Sequence, residues 1–178
     1  MKKNFLITMM TVLIVCISSM SFAAAKSFSD VPTNHWAYND VMDLANNGIL
    51  SHDEGTFEGD RAATRYEVAV MIANIYSKKT GTRIEISSHI PFIDLPENHW
   101  AAAAVCTLES EIIIEGYEDA TFLGNRKITR AELEKWLLNL LRETDNEYII
   151  KSTSSNTNEN ITRYELAAVL NKIYKVLF

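Results

Sequence analysis

Three near-copies of one short stretch constrain this chain more than any other feature. They are Ala-Thr-Arg-Tyr-Glu at Ala63–Glu67, Ile-Thr-Arg-Ala-Glu at Ile128–Glu132 and Ile-Thr-Arg-Tyr-Glu at Ile161–Glu165. Recurrence of this kind marks a repeated supersecondary unit. The likeness extends outward: Phe28–Leu50 aligns with Phe92–Ile114 without a gap, and Glu54–Ile72 with Asp119–Leu137, giving a period of 64 to 65 residues. Each full copy runs from Phe-x-Asp-x-Pro into His-Trp-Ala, then from Thr-Phe-x-Gly into Thr-Arg-x-Glu. The third copy lacks the first half, and Thr162 follows Thr129 by 33 residues where Thr129 follows Thr64 by 65.

Both halves of a copy read as helices. Trp36, Ala37, Val41, Leu44 and Ala45 share one apolar face at helical spacing, with Gly48 as a stop signal; Trp100, Ala101, Val105 and Leu108 repeat it. On that pattern Trp36 and Trp100 are expected in the core. The second helix carries Val68, Ile72, Ile75 and Tyr76 in copy one, Leu133, Trp136, Leu137 and Leu140 in copy two, and Leu166, Leu170, Ile173 and Leu177 in copy three. Upstream of the last helix, Ser152–Asn160 is polar and reads as loop, leaving Tyr148-Ile149-Ile150 as the segment able to pack.

The ends and the charge narrow the function classes. Lys2 and Lys3, an uncharged apolar run from Phe5 to Phe22, and Ala23-Ala24-Ala25 have the build of a secretory signal peptide over residues 1–25. An uncleaved anchor is the rival reading, and Val15 fits poorly before a lipid-modified Cys16. Without residues 1–25 the chain keeps 153 residues, its net charge goes from −6 to −8, and no further run is long enough to span a membrane. An acidic chain of this kind excludes nucleic acid as partner. Cys106 is then the single cysteine, set among Ala104, Val105 and Leu108 as a core thiol. No His/Cys cluster has metal-ligand spacing and no Gly-rich phosphate loop occurs, so neither cofactor nor metal is expected. His35 and His99 each follow an Asp by five residues, but they recur at one repeat position, which favours capping or packing over acid–base work.

Thr-x-x-Glu is a capping box, and Thr64/Glu67, Thr129/Glu132 and Thr162/Glu165 all fit it. The arginine between them is unexplained by the cap. Arg65, Arg130 and Arg163 fall at the first helical position, where the helix dipole mildly disfavours a cation. Replacing Arg65 or Arg130 with Gln is therefore expected to change stability by less than about 0.5 kcal/mol. Two readings remain: an anion site made of free N–H groups and a guanidinium fork, or an internal ion pair to an acid such as Asp30 or Asp94.

The assembled pattern, Phe-x-Asp-x-Pro, His-Trp-Ala, Gly-Ile, Thr-Phe-x-Gly and Thr-Arg-x-Glu, resembles the S-layer homology repeat of bacterial envelope proteins. The resemblance covers Phe28–Tyr76, Phe92–Leu141 and the chain from Ile161 onward. It implies an all-α fold of paired helices in a pseudo-threefold bundle, with the third repeat incomplete and grooves between neighbouring repeats. It implies non-covalent attachment to cell-wall polysaccharide or peptidoglycan, with no catalytic activity. Matched residue by residue, glycan binding falls to Arg65, Arg130, Arg163, Asp30 and Asp94, with Trp36 and Trp100 as weaker candidates. Arg163, with no Phe-x-Asp in its own copy, is expected to lack its partner acid. Ala120 stands where the family turn has Gly, and Ser51-His52-Asp53 replaces Gly-Tyr. The run from Gly59 to Glu67 is similar to repeats on outer-membrane proteins of diderm bacteria.

The expected organisation is a signal peptide over 1–25, repeats over 26–81 and 90–146, and a partial repeat with polar linker over 147–178. The expected location is the exported cell envelope: the cell surface, or the periplasm of a diderm. The alternative function is an adaptor or self-associating envelope protein, a homo-oligomer or the partner of another protein, using the face left open by the truncated copy.

Overall fold

A computed structural model describes residues 28–50, 55–86, 89–142, 144, 146, 150 and 158–178. The expected leader and most of the polar linker lie outside them. Five helices stand among the described residues: α1 (Tyr38–Asn46), α2 (Arg65–Thr80), α3 (Ala102–Ser110), α4 (Arg130–Leu141) and α5 (Arg163–Leu177). Extended pairing is limited there to isolated bridges, so the fold is all-α as its periodicity predicts.

α2, α4 and α5 begin identically. Thr64, Thr129 and Thr162 are extended, each side chain accepts the N–H of the Glu three residues on, and that Glu reaches back to the threonine N–H. α1 and α3 start without such a cap. The imidazole Nδ1 of His35 accepts the Ala37 N–H at 3.3 Å, and that of His99 the Ala101 N–H at 3.2 Å. The histidines thus meet one of the four orphan donors at each helix start.

Tight turns precede these two helices, with the His35 N–H bonded to the Pro32 carbonyl and the Tyr38 N–H to the His35 carbonyl. They turn Ala37 into the core and Trp36 out of it. Trp36 is 63% exposed and Trp100 57%, which corrects their expected place in the core. The apolar count is right from Ala37 onward, but the helix begins at Tyr38, so the tryptophan belongs to the entry turn and not to the stripe.

α1 closes on Gly48 at φ 67°, with the Ile49 N–H returning to the Leu44 carbonyl. α3 closes the same way with Ile112 at φ 57° and the Ile113 N–H on the Leu108 carbonyl. A β-branched residue in this left-handed conformation is strained by about 1–2 kcal/mol. Ala120, at a family glycine position, is also left-handed, at φ 60°.

Packing runs between copies. α2 of copy one lies on α3 of copy two, and α5 of copy three lies on α1 of copy one. The buried side chains merge into one core, with Phe57 and Phe122 from the Thr-Phe turns as large plugs at 1% and 0% exposure. α4 is the helix whose partner copy is truncated. Beside it, Ile150 is buried at 2% exposure, and a crevice of about 30 Å³ remains among Leu133, Leu137, Ile150, Ile161 and Val169.

The three Thr-Arg-x-Glu starts meet. The Ala63 N–H donates to the Ile161 carbonyl at 3.0 Å, Ile128 to Ala63 at 3.0 Å, and Ile161 to Ile128 at 3.4 Å. This ring is buried, with the three side chains at 0%, 0% and 1% exposure.

Candidate functional site

Around this ring the arginines and capping glutamates pair between copies. Arg65 Nη1 reaches Glu132 at 3.0 Å, Arg130 Nη2 reaches Glu165 at 2.5 Å, and Arg163 Nη1 reaches Glu67 at 2.7 Å. Each glutamate therefore caps its own helix and holds the arginine of a neighbour. The acids that hold the arginines are these glutamates, not Asp30 or Asp94.

The arginines differ in depth. Arg65 is 2% exposed and donates from Nε to the Phe122 carbonyl at 2.9 Å and from Nη2 to the Glu115 carbonyl at 2.7 Å. Its guanidinium also lies 4.6 Å from the Phe122 ring centre and 4.7 Å from that of Trp136. Arg163 repeats the pattern on copy one, with Nε on the Phe57 carbonyl at 2.8 Å and the guanidinium 4.7 Å from the Phe57 ring. Arg130 faces the truncated copy; its side chain is 23% exposed and its ion pair is to Glu165. The expectation that Arg163 lacks its acid is thus corrected: pairing is made across copies, and Arg130 is the arginine left without a Thr-Phe turn to enter.

Glu67 shows the electrostatics. Burial alone would raise its pKa, but hydrogen bonds from Arg61 and the Thr64 N–H and the charge of Arg163 outweigh this and hold it at about 2. The same competition holds Glu132 and Glu165 below the usual range. There the N–H of each cap threonine is the first opposing cause, helped by Tyr117 and Arg65 for Glu132 and by Arg130 for Glu165.

Asp30 and Asp94 anchor the turns that the arginines enter. Asp30 accepts the N–H of Phe57 at 2.7 Å and of Glu58 at 2.6 Å; Asp94 accepts those of Phe122 at 2.7 Å and Leu123 at 2.8 Å. These bonds hold Glu58 and Leu123 in the left-handed conformation at φ 52° and 50°. The next residue must be glycine for a packing reason: a Cβ on Gly59 would come within 2.2 Å of the Tyr164 ring, and one on Gly124 within 2.1 Å of the Tyr66 ring.

The result is two similar grooves. In the first, the Tyr164 ring lies against Gly59, with His35 at 4.0 Å and Trp36 at 6.1 Å between ring centres. In the second, Tyr66 lies against Gly124, with His99 at 4.3 Å and Trp100 at 6.1 Å. Each tryptophan is an exposed aromatic wall beside a floor of turn backbone. The first groove holds a cavity of about 360 Å³ lined by Asp30, Glu58, Gly59, Asp60, Arg61 and Tyr164. Of the residues expected at the site, the grooves bring together Asp30, Trp36 and Arg163, and Asp94, Trp100 and Arg65; Arg130 lies apart. Sequence reasoning passed over Tyr66, Tyr164 and the Gly-x-Arg pairs Gly59/Arg61 and Gly124/Arg126. Their signal is a common offset, the Gly-x-Arg pair in copies one and two and the tyrosine after Thr-Arg in copies one and three, with Ala131 replacing tyrosine in the start that faces the truncated copy.

Two segments, residues 27–69 and 91–134, match the model of the S-layer homology domain. The chain is 30% identical over 138 residues to an S-layer protein of Bacillus thuringiensis subsp. finitimus, covering 77% of this chain and 16% of that protein. It is 37% identical over 84 residues to a cellulosome-anchoring protein of Acetivibrio thermocellus, covering 47% and 19%. It is 45% identical over 73 residues to the outer membrane protein SlpA of Thermus thermophilus, covering 40% and 8%. The chain spans less than a fifth of the length of these curated relatives.

Proposed function

This chain carries two domains of the S-layer homology family, and from that premise we propose that it is a non-catalytic attachment module of the cell envelope. It holds cell-wall glycan, either a secondary wall polymer or peptidoglycan, in its two complete grooves. The observation that carries this reading is the pair of exposed tryptophans, each set beside a buried tyrosine and a turn fixed by an aspartate. Large aromatic surface left in solvent at corresponding places of two copies marks a binding face. The contacts to the glycan fall to Trp36 and Trp100 with the rims formed by Arg61 and Arg126, while Arg65 and Arg163 shape the floor. Asp30 and Asp94 act by fixing the turn.

Sedimentation with purified sacculi tests the reading. The protein should pellet with sacculi of its own organism, and Trp36→Ala with Trp100→Ala should release it without unfolding it. A protein that stays in the supernatant at both low and high salt ends the proposal. The alternative, association through the face beside α4, is weakened by Ile150, which occupies that face.

A further inference from the structure

The two grooves share one framework but not one charge. Where the first has Glu58 and Asp60, the second has Leu123 and Asn125 at the same repeat positions. Glu58 and Asp60 are exposed and line the first cavity together with Asp30 and Arg61. That lining carries three acids against one base. The counterpart set, Asp94, Leu123, Asn125 and Arg126, carries one against one. Ser29 in the first copy is matched by Ile93 in the second, 79% exposed, and Leu123 is 42% exposed. Glu97 replaces Thr33, but Thr33 does not line the first cavity. Burial and the aspartate of the turn raise the pKa of the tyrosine hydroxyl in both grooves, Asp30 for Tyr164 and Asp94 for Tyr66, and Asp60 adds to the effect in the first groove.

We propose that the grooves read different chemistry: the one at Trp36 selects a sugar bearing a primary ammonium group, and the one at Trp100 takes an uncharged, acetylated sugar. Glu58 is paired with Arg61 at 2.7 Å, which leaves the charges of Asp30 and Asp60 in excess, so an ammonium beside Trp36 would meet an aromatic face and that excess negative charge together, the arrangement that favours cations over neutral ligands. The second groove offers the same aromatic wall with Ile93 and Leu123 exposed beside it, and the counterparts of the first lining there carry one acid against one base. The inference rests on the grooves being the glycan sites.

The exchange that tests it is written in the chain itself. Leu123 adopts the left-handed conformation at φ 50° that Glu58 holds at 52°, so Glu58→Leu with Asp60→Asn, and Leu123→Glu with Asn125→Asp, suit the backbone already present. Trp100→Phe and Trp36→Phe backgrounds leave one groove tryptophan each as a fluorescence reporter. The probes are chitosan tetramer, chitin tetramer and free lysine, the last separating a bare amine from an amino sugar. Trp36 should report chitosan at least about tenfold tighter than chitin, with lysine weaker than chitosan. Glu58→Leu with Asp60→Asn should erase the preference, and Leu123→Glu with Asn125→Asp should create it at Trp100. Equal affinities at Trp36, lysine binding as tightly as chitosan, or a preference unmoved by the exchange would overturn the proposal. Loss of sacculus binding with the probe preferences intact would instead count against wall attachment.

Discussion

One substitution made three times separates the cross-copy strut from the helix start: Arg65→Gln, Arg163→Gln and Arg130→Gln. The dipole argument makes all three nearly neutral. The structure does not. Gln at 65 abandons the Phe122 and Glu115 carbonyls and the Glu132 carboxylate in a site where the arginine is 2% exposed. Breaking a buried, hydrogen-bonded ion pair from one side costs about 3–5 kcal/mol. At about 2–4 °C per kcal/mol for a domain of this size, the midpoint should fall by roughly 6–20 °C. Arg163→Gln should cost less, about 2–4 kcal/mol, because Arg163 is 9% exposed and bonds the Phe57 carbonyl where Arg65 bonds those of both Phe122 and Glu115, while each glutamate keeps a second arginine, Arg61 for Glu67 and Arg126 for Glu132. Arg130→Gln removes a pair whose side chains are 23% and 36% exposed, for which at most about 1 kcal/mol is expected. Urea unfolding followed by circular dichroism, with the slope checked for constancy, gives the three values on one scale. An Arg65→Gln variant within 1 kcal/mol of wild type, or an Arg130→Gln variant costing as much as Arg65→Gln, would refute the assignment of these residues as struts graded by burial.

Three further outcomes are expected. Thr64→Ala and Thr129→Ala should each lower stability by about 1 kcal/mol through the lost cap, read by the same urea titration. Glu67 has a folded pKa of about 2, below its ordinary 4.5, so its contribution is complete above about pH 4.5 and is lost as pH falls through 2. That contribution is on the order of 3 kcal/mol, and Glu67→Gln should flatten the stability profile between pH 5 and pH 2. Ile112→Gly should raise stability by roughly 0.5–1 kcal/mol, since relief of the left-handed strain exceeds the entropy that glycine adds to the unfolded chain; a loss on calorimetry would show that the exposed isoleucine packs usefully.

The repeat made the helices and caps legible, because a capping box and an apolar stripe are local. The partners of the arginines were not, since they lie 67, 35 and 96 residues away along the chain. Aligning copies shows which residues correspond, not which copy each one touches. Trp36 was misplaced for a local reason: a stripe at helical spacing continues backward past the true helix start, and the Pro32–Ala37 turn that ends it has no periodicity. The tyrosine-on-glycine contact was readable in principle, from Ala131 at the one start that faces a missing partner.

The ring of Ala63, Ile128 and Ile161 has a consequence for how such a chain can change over generations. A solenoid grows or shrinks by units at its ends, because each unit touches only its neighbours. A ring has no end. Every strand-like residue in it both gives and receives a hydrogen bond, so deleting one start would orphan a buried donor and a buried acceptor on the other two. A first helix, by contrast, closes only one lateral seam, and a short apolar stand-in can replace it. The third copy fits that difference in tolerance: it has no Phe-x-Asp stretch, Ile150 is buried beside α4, and Ile161-Thr162-Arg163-Tyr164-Glu165 is present in full.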